Sequence, residues 1–310
     1  MLKQIFVNLK RFEVPREVGG ICPSPDPVQW IETVMEQSVQ LGLGSYPGCQ
    51  LVYLLPEGLV PAALNQLRRF PEEQTRSIQV GCQGVHWEDI ARGKNFGAFT
   101  TSLPATAAKN LGCSWAILGH SEERRAKLQV IQAFDPLVET DPVLRAQAER
   151  SVDRLIQAEV LRALEAGLDV LVCVGETAQE RGDGSLEEQQ QRTEEIVRKQ
   201  VLNRLAGSRD VRLNRQIAIG YEPIWAIGPG KQPPGKEYIQ FVSRLVKQAA
   251  REALGMEMPV VYGGGLKEEN AGTIAGIDSI DGGLVALTQF TGQIGFDVAS
   301  LKRIIEKYLA

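Results

Sequence analysis

One carboxylate in this chain stands where a general base would be wanted. Glu222 closes the apolar run Ile217-Ala218-Ile219-Gly220-Tyr221 and is followed by Pro223. The proline ring removes a backbone donor and keeps the residue before it out of the helical region. The carboxylate is thus expected at the end of a buried strand. Beyond it, Ile224-Trp225-Ala226-Ile227 runs into Gly228-Pro229-Gly230 and Lys231. That loop is too apolar to idle in solvent, and it reads as a lid beside a base. A buried strand followed by a loop packed on the core would give the same local pattern, so the assignment needs partners from elsewhere in the chain.

His120 is one such partner. It follows Ala116-Ile117-Leu118-Gly119 and precedes Ser121-Glu122, an apolar strand running into a helix start; the only other histidine, His86, sits in a polar loop. Alone, His120 could be a core histidine bonded to backbone, or the start of a capping motif through Ser121. A helix beginning at Ser121 would bring its positive end near the ring and favour the neutral imidazole, which donates a hydrogen bond without being a bulk acid. Lys10, in Val7-Asn8-Leu9-Lys10-Arg11, reads in isolation as a solvated basic flank of a buried strand. At the mouth of a barrel it becomes a fixed cation for an anionic substrate, and Asn8 can bind either its neighbour or a hydroxyl.

These residues come from distant stretches, so the elements between them must bring them together. Eight short apolar runs recur along the chain: Gln4 to Asn8, Gln50 to Leu55, Ser77 to Gln83, Trp115 to Gly119, Asp169 to Gly175, Gln216 to Tyr221, Pro259 to Tyr262 and Gly283 to Leu287. Amphipathic segments follow most of them, the clearest being Val28 to Leu41, Arg145 to Ala166, Leu186 to Leu205, Lys236 to Leu254 and Asp297 to Leu309. Repeated strand–helix units of this number predict a closed (β/α)8 barrel of the α/β class. In such a barrel active sites collect on the loops after the strands. Asn8 and Lys10 at the first run, His120 at the fourth, Glu176 just past the fifth and Glu222 at the sixth are the polar ends this requires.

The composition excludes several classes. A length of 310 residues fits one large barrel, and 43% hydrophobic with 23% charged residues supplies a core without a disordered signature. A net charge of -4 argues against a nucleic-acid surface. No apolar run approaches membrane-span length, and Met1-Leu2-Lys3-Gln4-Ile5 lacks the apolar core and cleavage site of a secretory signal. The expected location is the cytoplasm. Cys22, Cys49, Cys82, Cys113 and Cys173 are widely spaced and odd in number, read as reduced thiols, mostly buried, with no metal-ligand pairing. No metal and no cofactor is expected.

With these stretches assembled, the chain resembles the triosephosphate isomerase family almost end to end. Six motifs carry the resemblance in order and spacing: Asn8-Leu9-Lys10; Gly97-Ala98-Phe99-Thr100; Ile117-Leu118-Gly119-His120-Ser121-Glu122; Cys173-Val174-Gly175-Glu176-Thr177; Tyr221-Glu222-Pro223-Ile224-Trp225-Ala226-Ile227-Gly228; and Tyr262-Gly263-Gly264. The resemblance implies a TIM barrel, one domain over residues 1–310, that interconverts dihydroxyacetone phosphate and glyceraldehyde 3-phosphate through an enediolate. By the same resemblance Glu222 shuttles the proton and His120 polarises the carbonyl. Lys10, assisted by Asn8, meets the enediolate and phosphate charge, and the loop from Pro223 to Pro233 closes to exclude water. Glu122 and Glu176 match family residues that support the site, and both also fit as helix-start carboxylates. The Gly97–Thr100 loop implies a homodimer, although Thr101-Ser102 replaces the family's usual Gly-Glu.

The departures fall on phosphate binding. Of three backbone grips expected from the family, Gly228 is intact. Gly265 replaces a serine, and Ala286 and Leu287 stand where two glycines would. The amides remain, but a leucine side chain narrows the approach that glycine leaves open. Pro229 takes the place of a threonine at the lid tip and deletes a donor. Insertions are expected near 13–27, 126–143 and 288–296, in loops at the catalytic face, where surface elaboration or an oligomer contact are the alternatives to a role in the site. Two other readings follow: an isomerase of another short sugar phosphate, such as a tetrulose phosphate, or a catalytically silent barrel acting as a binding module.

Overall fold

The eight apolar runs form β1 (Lys3–Asn8), β2 (Cys49–Leu55), β3 (Ile78–Cys82), β4 (Trp115–Leu118), β5 (Asp169–Val174), β6 (Ile217–Tyr221), β7 (Val260–Tyr262) and β8 (Gly282–Val285) in the computed structural model, which describes residues 2–228, 230–289 and 293–310. Neighbouring strands pair in parallel in sequence order, and β8 returns to β1 with Phe6 opposite Leu284, closing the barrel. The protein is a (β/α)8 barrel.

Side-chain alternation along each strand divides the core in two. Ile5, Val7, Tyr53, Val170 and Ile219 point outward into the layer beneath the helices, which holds most of the buried apolar residues. Phe6, Val52, Leu54, Trp115, Ile117, Leu171, Cys173, Ala218, Val261 and Leu284 fill the barrel itself, with Phe6 edge-on to Trp115 at 5.0 Å. At the end away from the site, Gln4, Gln50 and Gln79 are linked side chain to side chain, and Trp115 Nε1 donates to Gln79. These contacts partner most of the polar groups at the barrel floor, while Gln4 Oε1 stays buried without a hydrogen-bond partner.

The same period of two decides which polar residues reach the mouth. Asn8 continues the inward series of Gln4 and Phe6, and Glu222 that of Ala218. Gln83 continues the series of Gln79 and Gly81. Each lies at or just past the C-terminal end of its strand.

The segments expected as insertions take definite forms. Residues 126–134 are not loop: they continue the helix Ser121–Phe134, and Pro142, capped by Asp141, opens the helix Pro142–Glu165. The helical periodicity was expected only from Arg145, because the intervening 3-10 turn Pro136–Glu139 hides it. The segments 13–27 and 288–296 meet: Arg16 donates to Gln293 Oε1 at 2.7 Å and to the Ile294 carbonyl at 2.8 Å.

Candidate active site

Glu222 is buried, 1% exposed, and its backbone is tied to β5 through Glu222 N to the Val174 carbonyl at 2.8 Å. Gly175 makes that approach possible. It has φ +155°, and a Cβ there would lie 1.8 Å from the Glu222 carbonyl oxygen. The carboxylate is held by four groups. Ser121 N donates to Oε2 at 3.0 Å, Ser121 Oγ to Oε1 at 3.1 Å and Arg124 Nη2 to Oε2 at 3.3 Å, while His120 Nε2 lies 3.2 Å from Oε1. Ser121 opens a fourteen-residue helix, so the carboxylate also sits at the positive end of a dipole.

His120 is the N-cap of that helix, and its Nδ1 accepts from Glu122 N at 3.3 Å. A nitrogen that accepts carries no proton, so this hydrogen bond assigns the ring proton to Nε2, the atom facing Glu222. The capping alternative and the catalytic one therefore coincide: the ring caps the helix through one nitrogen and presents the other to the site.

Lys10 adopts φ +30°, a conformation side chains rarely take. Its strain is offset by Asn8 Oδ1, which accepts from Lys10 N at 3.1 Å, and by Gln83 Nε2, which donates to Asn8 Oδ1 at 3.1 Å and to the Lys10 carbonyl at 2.8 Å. The Lys10 ammonium meets Glu122 Oε1 at 2.7 Å. Burial pushes Glu122 up, but the hydrogen bond and charge of Lys10, aided by His120 and Arg125, outweigh it and hold Glu122 below the ordinary carboxylate range.

Behind the lid, one oxygen of Glu176 accepts from Tyr221 Oη at 3.1 Å, Trp225 Nε1 at 2.7 Å and Tyr238 Oη at 3.2 Å. Burial still raises the Glu176 carboxyl above its usual range, because these donors offset only part of the desolvation. The lid begins as a 3-10 turn, Ile224–Ala226, with Arg181 stacked 3.9 Å over the Trp225 ring.

Thus Asn8, Lys10, His120 and Glu222 lie together at the ends of β1, β4 and β6. Gly228 is exposed on the lid, while Gly265, with φ +91°, follows β7. Ala286 and Leu287 follow β8 half-buried, and Leu287 packs on the core. Pro229 lies outside the described residues. Ser121, Arg124 and Gln83 escaped the sequence reasoning. Gln83 carried a signal as the polar end of an apolar run, but the partners of Ser121 and Arg124 are about a hundred positions away. Among the described residues, no group of three or more His, Cys, Asp or Glu could hold a metal ion.

Comparison with known proteins adds a second line. The sequence model of triosephosphate isomerase matches residues 56–294. Triosephosphate isomerase of Chloroherpeton thalassium is 31% identical over 232 residues, 73% of this chain and 77% of that protein. L-erythrulose-1-phosphate isomerase of Rhizobium etli is 30% identical over 220 residues, 71% of this chain and 68% of that protein. The crystal structure of triosephosphate isomerase from Bartonella henselae superposes with a TM-score of 0.67 over 100% of both chains at 20% identity, a likeness of fold. Asn8 and Lys10 precede the matched span, and it is closure of β1 onto β2 and β8 that brings them to the site.

Proposed function

This chain belongs to the triosephosphate isomerase family, and we propose that it interconverts dihydroxyacetone phosphate and glyceraldehyde 3-phosphate. Glu222 removes a proton from the carbon beside the carbonyl and returns it to the neighbouring carbon. His120 donates its Nε2 hydrogen to the substrate oxygen, and the Lys10 ammonium stabilises the negative charge of the enediolate and the phosphate, with Asn8 holding Lys10 in place. Gly228 on the lid, with the backbone at Gly265, Ala286 and Leu287, surrounds the phosphate. Because Ser121 engages both carboxylate oxygens, Glu222 must leave Ser121 before it can accept a proton. Movement of the lid, joined to Glu222 through Pro223, supplies that release.

The observation that carries this reading is the contact of His120 Nε2 with a buried Glu222, at the same barrel mouth as Lys10. The test is turnover of dihydroxyacetone phosphate by the full chain. Glu222→Gln keeps the shape but not the base, exchanging one acceptor oxygen for an amide donor, and should lower kcat about 10²–10⁴-fold with KM little changed. Failure of the unaltered protein to isomerise any short ketose phosphate would remove the reading.

Two observations favour a second substrate: Ala286 and Leu287 stand where the family's glycine pair is expected, and one relative is named L-erythrulose-1-phosphate isomerase. The ratio of kcat/KM for the two substrates decides between them. We further propose a cytoplasmic homodimer. Support comes from five free, buried cysteines and from the exposed Phe96, Trp87 and Ile90 beside the Gly97–Thr100 loop. A monomer by light scattering at micromolar concentration would exclude the dimer.

A further inference from the structure

A cavity of about 480 Å³ opens behind the catalytic residues, between the helices Ser121–Phe134, Pro142–Glu165 and Leu186–Leu205 and the base of the lid. Its size suits a small organic molecule. Leu128, Val152 and Ile196 make its apolar walls, and Ile224, Ile227 and Gly228 close it on the lid side. The chain extension that lengthens the first of these helices to Phe134 and starts the second at Pro142 builds two of its sides.

The charges around it do not cancel. The carboxylates are engaged: Glu149 with Arg145, Asp153 with Arg204, Glu122 with Lys10, and Glu180 in a capping box with Thr177. Arg125 and Lys199 also line the cavity; Arg125 acts on Glu122 and Lys199 on Glu149 through charge, but among the described residues neither makes a hydrogen bond or a close ion pair. Arg124 forms part of the wall while its Nη2 holds Glu222, and its Nε is a buried donor left without an acceptor. An apolar chamber with two cations that make no close ion pair can take an anion carried on an apolar body.

We propose that this cavity is a regulatory site for a small amphipathic organic anion that holds the lid in the position seen here and so inhibits turnover. An occupant between Arg125 and Lys199 packs against Ile224 and Ile227, which belong to the lid. In this lid position Glu222 stays on Ser121 and Arg124, so stabilising it withdraws the base from substrate. By linkage, a substrate that closes the lid weakens the anion in equal measure. The inhibitory effect rests on the isomerase reading; the binding does not.

The test uses 4-phenylbutyrate and phenyl phosphate as carboxylate and phosphate probes, titrated into the full chain by calorimetry and then added to the isomerase assay. Saturable heat with at least one probe is expected, together with a fall in kcat/KM that saturates at the same probe concentration. The double variant Arg125→Ala/Lys199→Ala changes two surface side chains outside the catalytic set. It should bind the effective probe about tenfold more weakly, and Lys199→Ala alone, away from Glu122, should weaken binding with uninhibited turnover unchanged. No heat with either probe, unchanged affinity in the double variant, or inhibition that persists undiminished in the double variant would each overturn the proposal. Were the protein inactive on every sugar phosphate, calorimetry on the two proteins would still decide whether the site exists.

Discussion

At Leu287 the chain carries a side chain where the sequence resemblance leads one to expect glycine. The residue follows the last strand and packs on the core, so it narrows the approach of a phosphate to the backbone without removing the amides. Leu287→Gly should therefore lower KM for dihydroxyacetone phosphate, on the order of tenfold, with kcat held. An unchanged KM would mean that the phosphate does not approach this strand end. Gly265 behaves differently. Its φ of +91° disfavours any side chain, so the family's serine could not be restored there without moving the backbone. On the proposed reading, the phosphate grip depends on the local conformation as much as on residue identity.

Among the elements, the β5–β6 junction carries the most weight for catalysis. Gly175 lets the Glu222 carbonyl approach within the space a Cβ would occupy, and Glu176 beside it gathers the hydrogen bonds of Tyr221, Trp225 and Tyr238. Gly175→Ala must push the Glu222 backbone away from its partners. A displacement of about 1 Å is worth roughly 10²-fold in rate, so kcat should fall by about that factor while circular dichroism shows the barrel intact. Retained kcat would show that the carboxylate can reach substrate from a shifted backbone. The apolar run and Pro223 made the strand end and the position of its carboxylate readable from sequence, since both act through local backbone geometry. The hydrogen-bond partners of Glu222 were not readable, because Ser121 and Arg124 reach it only once β4 and β6 are wrapped onto the same barrel.

For the molecule as a whole, one buried group links protonation to stability. Glu159, on the helix Pro142–Glu165, lies against Glu123 and Lys127 in the layer outside β4. Burial, then the charge of Glu123, pushes its carboxyl up to about 9, with Lys127 only partly opposing. Glu123 receives the Gly119 N–H at 2.7 Å and remains the ionised member, held below the usual range by its partners despite its own burial. Because the folded value lies above the unfolded one, the stabilisation is fully present below about 4.5 and is lost as pH rises through about 9. Urea unfolding between those limits should show stability falling by up to about 1.4 kcal/mol per pH unit from this group, and Glu159→Gln should flatten that slope. An identical slope in the variant would show that Glu159 is already ionised in the native state.

Eight apolar runs alternating with amphipathic segments were enough to predict the barrel, because burial period and strand–helix alternation are properties of consecutive residues. They also placed Asn8, Lys10, His120 and Glu222 at strand ends. What the one-dimensional pattern left open was how those ends are held: Gln83 securing Asn8 and Lys10, Ser121 and Arg124 detaining Glu222, and a charged cavity behind the lid. Each depends on contacts between residues far apart in the chain, whose distances are set only when the eighth strand closes on the first. Closure converts polar strand ends into a site, and the helices Ser121–Phe134 and Pro142–Glu165 packed outside it leave a chamber behind that site.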